Sequence, residues 1–312
     1  MIGNNKYRLG KKILLFLLLF AGINGALSFW YYKKVVPKNK LYQTDANYKE
    51  HIESTNTLFL GHSRAQLGVD EELFQGAINY ASYGENNVYT YYKIKRLLED
   101  NRNVIERVFI PCGFGTFSSL KSPHVFDHSY WNQYIDYIEL GQEHNELDKY
   151  AALLLQSKIF PYSRSLQLGV NKRFKFSGVR KSTLQELTTE LEKEKYAYEA
   201  IRINFVNRNS YDTISYKYLE RTLALCQANN IEVVAIKYPV TSYYFEAYNE
   251  LISEEKWNTR IFDELLKANN VEVLNFEQIY FKKDELFRDT HHLNEDGKKQ
   301  FSELLKRTLD SR

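Results

Sequence analysis

Five short apolar runs, at residues 58–60, 77–80, 108–112, 233–238 and 271–275, constrain this chain more than any other feature. Each is too short for a buried helix, and helical periodicity fills the stretches at 87–99, 215–228, 244–268 and 295–309. Strands that alternate with helices return parallel to one another, because a crossover helix packs back onto the sheet. The pattern therefore predicts an α/β fold of three layers, α/β/α, around about five parallel strands. Asn229-Asn230 and Asn269-Asn270 each stand directly before a strand and read as helix stops, since Asn tolerates the left-handed cap.

The first run ends at Gly61-His62-Ser63-Arg64. A residue at the carboxyl end of a parallel strand faces the crevice where open α/β sheets bind ligands, so Ser63 stands where a nucleophile is wanted. Its hydroxyl is weakly nucleophilic at neutral pH and needs a base within hydrogen-bond reach, with a third group fixing that base's tautomer. Near the far end, Asp289-Thr290-His291-His292-Leu293-Asn294 supplies an imidazole with a carboxylate three positions earlier. Ser63, His292 and Asp289 are thus the candidate nucleophile, base and orienting group. Taken singly, a Ser after Gly at a strand end is more often a helix N-cap than a nucleophile, and the paired His reads as a solvated loop.

Together these blocks resemble the SGNH, or GDSL, hydrolase superfamily, which carries Gly-Asp-Ser after its first strand and Asp-x-x-His shortly before a final helix. The corresponding residues here are Gly61-His62-Ser63 and Asp289 to His292, after which Asn294-Glu295-Asp296-Gly297 opens a helix. The family's second block, Asn-x-Gly-x-x-Gly, is echoed by Asn79-Tyr80-Ala81-Ser82-Tyr83-Gly84. The resemblance implies a flavodoxin-like sheet, an acyl-enzyme on Ser63, and backbone N–H groups of Ser63 and Gly84 holding the oxyanion.

Two departures bear on activity. His62 replaces the usual Asp, and the third block, Gly-x-Asn-Asp, is replaced by Gly113-Phe114-Gly115-Thr116. Losing one preorganised oxyanion donor costs about a hundred- to a thousand-fold in turnover. Gly113 remains at that strand end as a substrate-side candidate, and Asn86 or Asn87 is placed either to supply the missing donor or to cap the next helix. An α/β-hydrolase also orders Ser, Asp and His in this way, but its elbow is Gly-x-Ser-x-Gly, and here Ala65 stands in the last position.

Residues 13–32 carry no charge and only Asn24 and Ser28 as strongly polar interruptions. As a helix such a run is about 30 Å long, the thickness of the bilayer hydrocarbon. It ends in Trp30-Tyr31-Tyr32, an interfacial aromatic belt. The expectation is an uncleaved signal anchor at 13–32, a short cytoplasmic tail at 1–12, a juxtamembrane linker at 33–54 and one SGNH-like domain at 55–312. Lys6, Arg8, Lys11 and Lys12 before the span are balanced by Lys33, Lys34, Lys38 and Lys40 after it, so charge does not orient it. The family's envelope-facing relatives place the domain outside the cytoplasm of a bacterial-type cell.

About one hundred residues, near 114–212, separate the third and fourth strands, far more than a crossover needs. This helical insertion holds apolar patches at 131–140 and 150–160 and an amphipathic stretch at 182–203 opened by a capping-box-like Ser182-x-x-Gln185. It is either a lid or wall for a large substrate or a surface decoration. Tyr238-Pro239-Val240-Thr241 is expected to border the same pocket.

The net charge of +3 over 312 residues, with no basic stripe, argues against a nucleic-acid partner. Cys112 and Cys226 lie in apolar runs and read as small buried side chains. No Cys/His spacing reads as zinc, His124 and His128 sit in a loop-like context, and neither a metal nor another cofactor is expected. The combination of anchor, altered third block and long insertion resembles membrane-anchored SGNH-like proteins of O-acylation systems. That resemblance implies a serine esterase or O-acyltransferase acting on an acylated glycan or other envelope polymer, beside a multi-spanning membrane acyltransferase. The altered third block also fits a non-catalytic binding or assembly subunit that keeps the fold.

Overall fold

The computed structural model describes residues 2–100, 102–113, 134–143, 145–163, 166, 187, 189–204, 213–252 and 259–312. Its strands β1 (Thr57–Phe59), β2 (Ala77–Asn79), β3 (Arg107–Pro111), β4 (Glu232–Lys237) and β5 (Glu272–Asn275) form one parallel sheet in the order β2-β1-β3-β4-β5. This is the flavodoxin-like order, in which β1 and β3 are neighbours at the topological switch and their carboxyl ends open the ligand crevice. Leu58 of β1 pairs with Ile78 on one side and Val108 on the other. Strands covered on both faces read as continuous apolar runs, as these do.

The described helices are α1 (Ile2–Trp30), α2 (Lys40–His51), α3 (Ser63–Gly68), α4 (Asn87–Leu98), α5 (Tyr137–Glu143), α6 (Leu147–Ile159), α7 (Glu190–Asn204), α8 (Thr213–Ala228), α9 (Ser242–Leu251), α10 (Thr259–Ala268) and α11 (Glu295–Asp310). Phe59, Phe109, Val234, Ile236 and Leu274 form one buried cluster with Phe301 and Leu305 of α11. Strand alternation turns Leu58, Val108 and Ile110 to the opposite face. There α4 packs along α8, with Asn87 donating to the Ser215 carbonyl at 3.0 Å and the Tyr92 and Tyr218 hydroxyls 3.2 Å apart. The helix stops behave as their residue type predicts, Asn230 at φ 55° and Asn270 at φ 54°. Within the stretch expected as one helix at 244–268, the described residues hold α9 and α10, and α9 ends at Leu251, where buried Ile252 takes an extended backbone and joins the cluster beneath α9.

The chain falls into two compact units, Met1–Gln43 with Asp127–Gly178, and Thr44–Phe126 with Val179–Arg312. In the first, the segment Tyr7–Lys38 is helical throughout and is long and apolar enough to cross a membrane. In the second, α2 residues from the expected linker enter the core. Asp45 accepts a 2.6 Å hydrogen bond from the Tyr80 hydroxyl, and Tyr48 packs edge-on against the Tyr80 ring. Of the insertion, α5 and α6 lie in the first unit and α7 in the second, where α7 packs on α9 through Ala197, Ile201 and Tyr244.

A two-strand ribbon of β6 (Phe287–Asp289) and β7 (His292–Leu293) carries the last block, and α11 follows at once. Asn294 caps α11 by accepting from Gly297 N at 2.9 Å while its own amide donates to the Glu285 carbonyl. Gly297 has no room for a side chain, since a Cβ there would lie 2.1 Å from the Leu286 carbonyl oxygen. Gly297→Ala is expected to destabilise the protein by about 1–3 kcal/mol through overpacking, read as a lower unfolding midpoint of the purified chain. An unchanged midpoint would show that the ribbon shifts freely against α11.

Candidate active site

Gly61 bends the chain out of the sheet. Its φ of 102° is open to glycine, and a Cβ would lie 2.3 Å from the Pro111 ring, so β1 and β3 approach here more closely than any side chain allows. The turn leads into α3, where Ser63 is the first residue and His62 the N-cap, its ring accepting from Arg64 N. Ser63 is partly exposed at the carboxyl edge of the sheet. His292 is buried on β7, and its Nε2 lies 2.7 Å from Ser63 Oγ. On the other side of the same ring, His292 Nδ1 lies 2.8 Å from Asp289 Oδ2. The structure thus joins Ser63, His292 and Asp289 in one hydrogen-bonded line across 229 positions of sequence.

Asp289 is held by more than the imidazole. Its Oδ1 accepts from the backbone N–H of His291 and of His292, both at 3.0 Å. Burial opposes its ionisation, but the nearby His291, the His292 hydrogen bond and those backbone donors outweigh burial and keep the carboxyl well below the ordinary carboxylate range. The loop that carries it is tied to the start of α9, because Thr241 N and Oγ1 both bond the Thr290 carbonyl, at 3.1 and 2.8 Å. Residues 238–241 border the site through this link.

The second block lies beside the Gly61 turn. Gly84 sits at φ 72°, in a loop pinned to the nucleophile turn by Ser82 N donating to the Gly61 carbonyl at 2.8 Å. Asn79 is buried and ties β2 to α3, its amide donating to the carbonyls of Ala65 and Val69. Asn86 caps α4, its Oδ1 accepting from Tyr89 N at 3.0 Å. Its Nδ2 is buried and has no hydrogen-bond partner, beside a small cleft lined by Gly61, His62, Glu85, Asn87, Thr90 and Pro111. Asn87 is turned to Ser215 instead. Gly113 adopts φ 99° at the end of β3, on the side of Lys237 and Glu277.

Two groups escaped the sequence reading. Arg64 is buried and donates to the Tyr244 hydroxyl at 3.1 Å, while the Tyr244 ring stacks on His291 at 4.7 Å. Glu85 and Lys93 form a fully buried ion pair at 2.7 Å. Glu85 Oε1 accepts from Gly61 N and from Thr90, and Lys93 Nζ donates to the Tyr80 carbonyl. Burial pushes the Glu85 carboxyl up and the Lys93 ammonium down. The available signal was Lys93 itself, a charge four residues from both Tyr89 and Leu97 on the apolar face of α4.

Asp289, His291 and His292 offer ligand atoms within 4.8 Å of one another, a set that could hold a metal ion. Both ring nitrogens of His292 already face Ser63 and Asp289, so an ion there would displace one of them. Cys112 and Cys226 are free and buried, and burial pushes the Cys226 thiol up to about 12. His124, His128, His144, Phe114, Gly115, Thr116, Ser182 and Gln185 lie outside the described residues.

The sheet order and the meeting of the first and last blocks are the arrangement that the SGNH resemblance implied. No family model and no curated protein matches the chain. Among solved structures it is similar to a protein of Streptococcus pneumonia that carries the name platelet activating factor, at 14% identity and a TM-score of 0.40, covering 91% of this chain and 99% of that one. It is also similar to a GDSL-like lipase from Bacteroides thetaiotaomicron, at 11% identity, a TM-score of 0.38 and coverage of 87% and 98%. A psychrotrophic esterase from Pseudoalteromonas sp., inhibited by monoethylphosphonate, matches at 11% identity, a TM-score of 0.34 and coverage of 82% and 97%.

Two outcomes are expected. Lys93→Met strands a buried carboxylate and should cost about 3–5 kcal/mol, much of it recovered in the double variant Glu85→Gln/Lys93→Met, as read from denaturation midpoints. A fully additive double variant would refute the pairing. Because the folded Asp289 carboxyl resists protonation more than the unfolded one, its stabilisation is present above about pH 4 and lost as pH falls below that. Asp289→Asn should therefore flatten the acid limb of the stability profile, and an unchanged limb would contradict the depressed value.

Proposed function

We propose that this chain is an SGNH-type serine hydrolase or O-acyltransferase, tethered by α1 and acting on ester-linked acyl groups of a glycan or other envelope polymer. The single observation that supports it is the hydrogen-bonded line from Ser63 through His292 to Asp289. In this reading Ser63 Oγ attacks the acyl carbonyl while His292 Nε2 takes its proton, and Asp289 holds the imidazole in the tautomer that leaves Nε2 free to accept. The backbone N–H groups of Ser63 and Gly84 receive the developing oxyanion, with the unpartnered Asn86 amide in place of the missing third-block Asn. His292 then returns the proton to the leaving oxygen, and an acyl ester remains on Ser63. Water or an acceptor hydroxyl, deprotonated by His292, releases the acyl group in the second half-reaction.

The length and apolar character of α1 support a single-pass anchor, and the resemblance supports a domain outside the cytoplasm, working beside a multi-spanning membrane acyltransferase. A second reading, a non-catalytic binding or assembly subunit, draws on the absent third-block Asn and on Asn86 being engaged as a cap.

A fluorophosphonate probe is expected to label the intact chain and not Ser63→Ala. A chromogenic acetyl ester should be turned over by the wild type and lost by about four orders of magnitude in Asp289→Asn. Release to a glycan acceptor in excess of hydrolysis selects transfer. No labelling and no turnover, with glycan binding unaffected by His292→Ala, would overturn catalysis in favour of the binding subunit.

A further inference from the structure

The apolar patch at 150–160 has no part in the site, and its surroundings within its own unit are unusual. From Ala151 to Ser163, the end of α6 and the turn after it, the chain carries one charge, Lys158. It is apolar at both ends, Ala151 to Leu155 and Ile159 to Tyr162, with Gln156, Ser157 and Lys158 between, and apolar segments of about this length are found as buried core helices or as re-entrant and interfacial segments. It is not core: Leu155 is 59% exposed and Ile159 43%.

Its inward side docks on α1. The Phe160 ring meets Phe20 edge-on, with centroids 6.0 Å apart. The Tyr162 hydroxyl donates to Asn24 Oδ1 at 2.7 Å, and Tyr162 is buried with Tyr31 and Val36, with Leu27 and Phe160 packed against them. Phe20 and Asn24 lie near the middle of the uncharged 13–32 run. At about 1.5 Å per residue, Phe20 is about 15 Å along the helix from the Trp30 belt, half the thickness of the hydrocarbon.

We infer that the end of α6 and its turn are embedded in the bilayer beside α1, and that lipid acyl chains are the occupant of the exposed face at Leu155 and Ile159. This rests on the reading of α1 as a membrane span. The contacts favour lipid over water, because the Phe20 and Asn24 partners fix the depth of the turn once α1 is inserted. They also satisfy the polar groups that hydrocarbon would penalise. Asn24 would otherwise face lipid with an unmet carbonyl, and Tyr162 supplies its donor. Three backbone N–H groups of the segment are paired as well, Phe160 N with the Gln156 carbonyl, Ser163 N with that of Phe160 and Leu166 N with that of Tyr162. Gln156 and Lys158 are exposed as well, and the Lys158 stem can extend its ammonium away from the level of Phe160 in the direction of the headgroups.

Spin labels on single cysteines at Leu155, Ile159, Leu18 and Lys299, in the full chain reconstituted into phosphatidylethanolamine/phosphatidylglycerol vesicles, test the assignment. The native cysteines are buried and give little background. Labels at 155 and 159 should collide preferentially with oxygen over a water-soluble nickel chelate, shifting toward the Leu18 value and away from that of exposed Lys299 on α11. Values like Lys299, with Leu18 in lipid, overturn the inference and leave the anchor standing. Low collision with both reagents would show that protein, a second copy or a partner helix, covers the face, and overturns lipid as the occupant. A water-accessible Leu18 overturns the anchor and this inference together.

Discussion

Taking a carboxylate and an ammonium out of water costs several kcal/mol per ion, and yet Glu85 and Lys93 meet 2.7 Å apart with no exposure of either side chain. The pair is tolerable because the remaining hydrogen-bonding capacity is used. Glu85 also accepts from Thr90 and Gly61 N, and Lys93 also donates to the Tyr80 carbonyl. Those last two contacts are where the geometry of the site begins. Gly61 opens the block that carries Ser63, and Tyr80 is the first residue after β2 on the way to Gly84. One buried pair therefore holds the Gly61 turn and the loop from Tyr80 to Gly84 against α4, and Ser82 N on the Gly61 carbonyl closes the same link from the other side.

The Asp289–His292 half of the site is assembled differently, by short-range capping. Asp289 is locked by backbone N–H groups two and three residues on, so its carboxylate faces His292 whatever the rest of the fold does. Distance to Ser63 is then set by α11, whose cap on Asn294 and close seat against Leu286 place the β6–β7 ribbon over α3. A rigid local unit carried on a packed helix is a workable way to bring groups from opposite ends of the chain to 2.7 Å.

Much of this was legible because its physics is local. Short apolar runs broken by helical periodicity predicted all five strands to within a residue or so, and Asn before a strand predicted two left-handed helix ends. Ser63, His292 and Asp289 were readable because each sits in a recognisable block. Lys93 was passed over because a single charge in an amphipathic helix is ordinarily solvated, and its partner Glu85 lies in the preceding loop. Arg64 and Tyr244 were missed for a related reason, since they meet only when α9 packs beside α3, 180 positions apart. The break at Ile252 was hidden because the helical pattern continues through it, and only the buried cluster under α9 rewards an extended backbone there.

By itself the sequence determined the five strands of the sheet, the length and apolar character of the first helix, and the pairing of Asp289 with His292, because each depends on residues close together along the chain. Tertiary structure alone decided that the Asn86 amide nitrogen is buried unpaired, that Glu85 and Lys93 are buried together, and that Tyr162 meets Asn24. Those outcomes depend on which polar groups lose water when distant segments close over them. That loss has no signature in a stretch of residues read along the chain, because desolvation is a property of the packed surroundings.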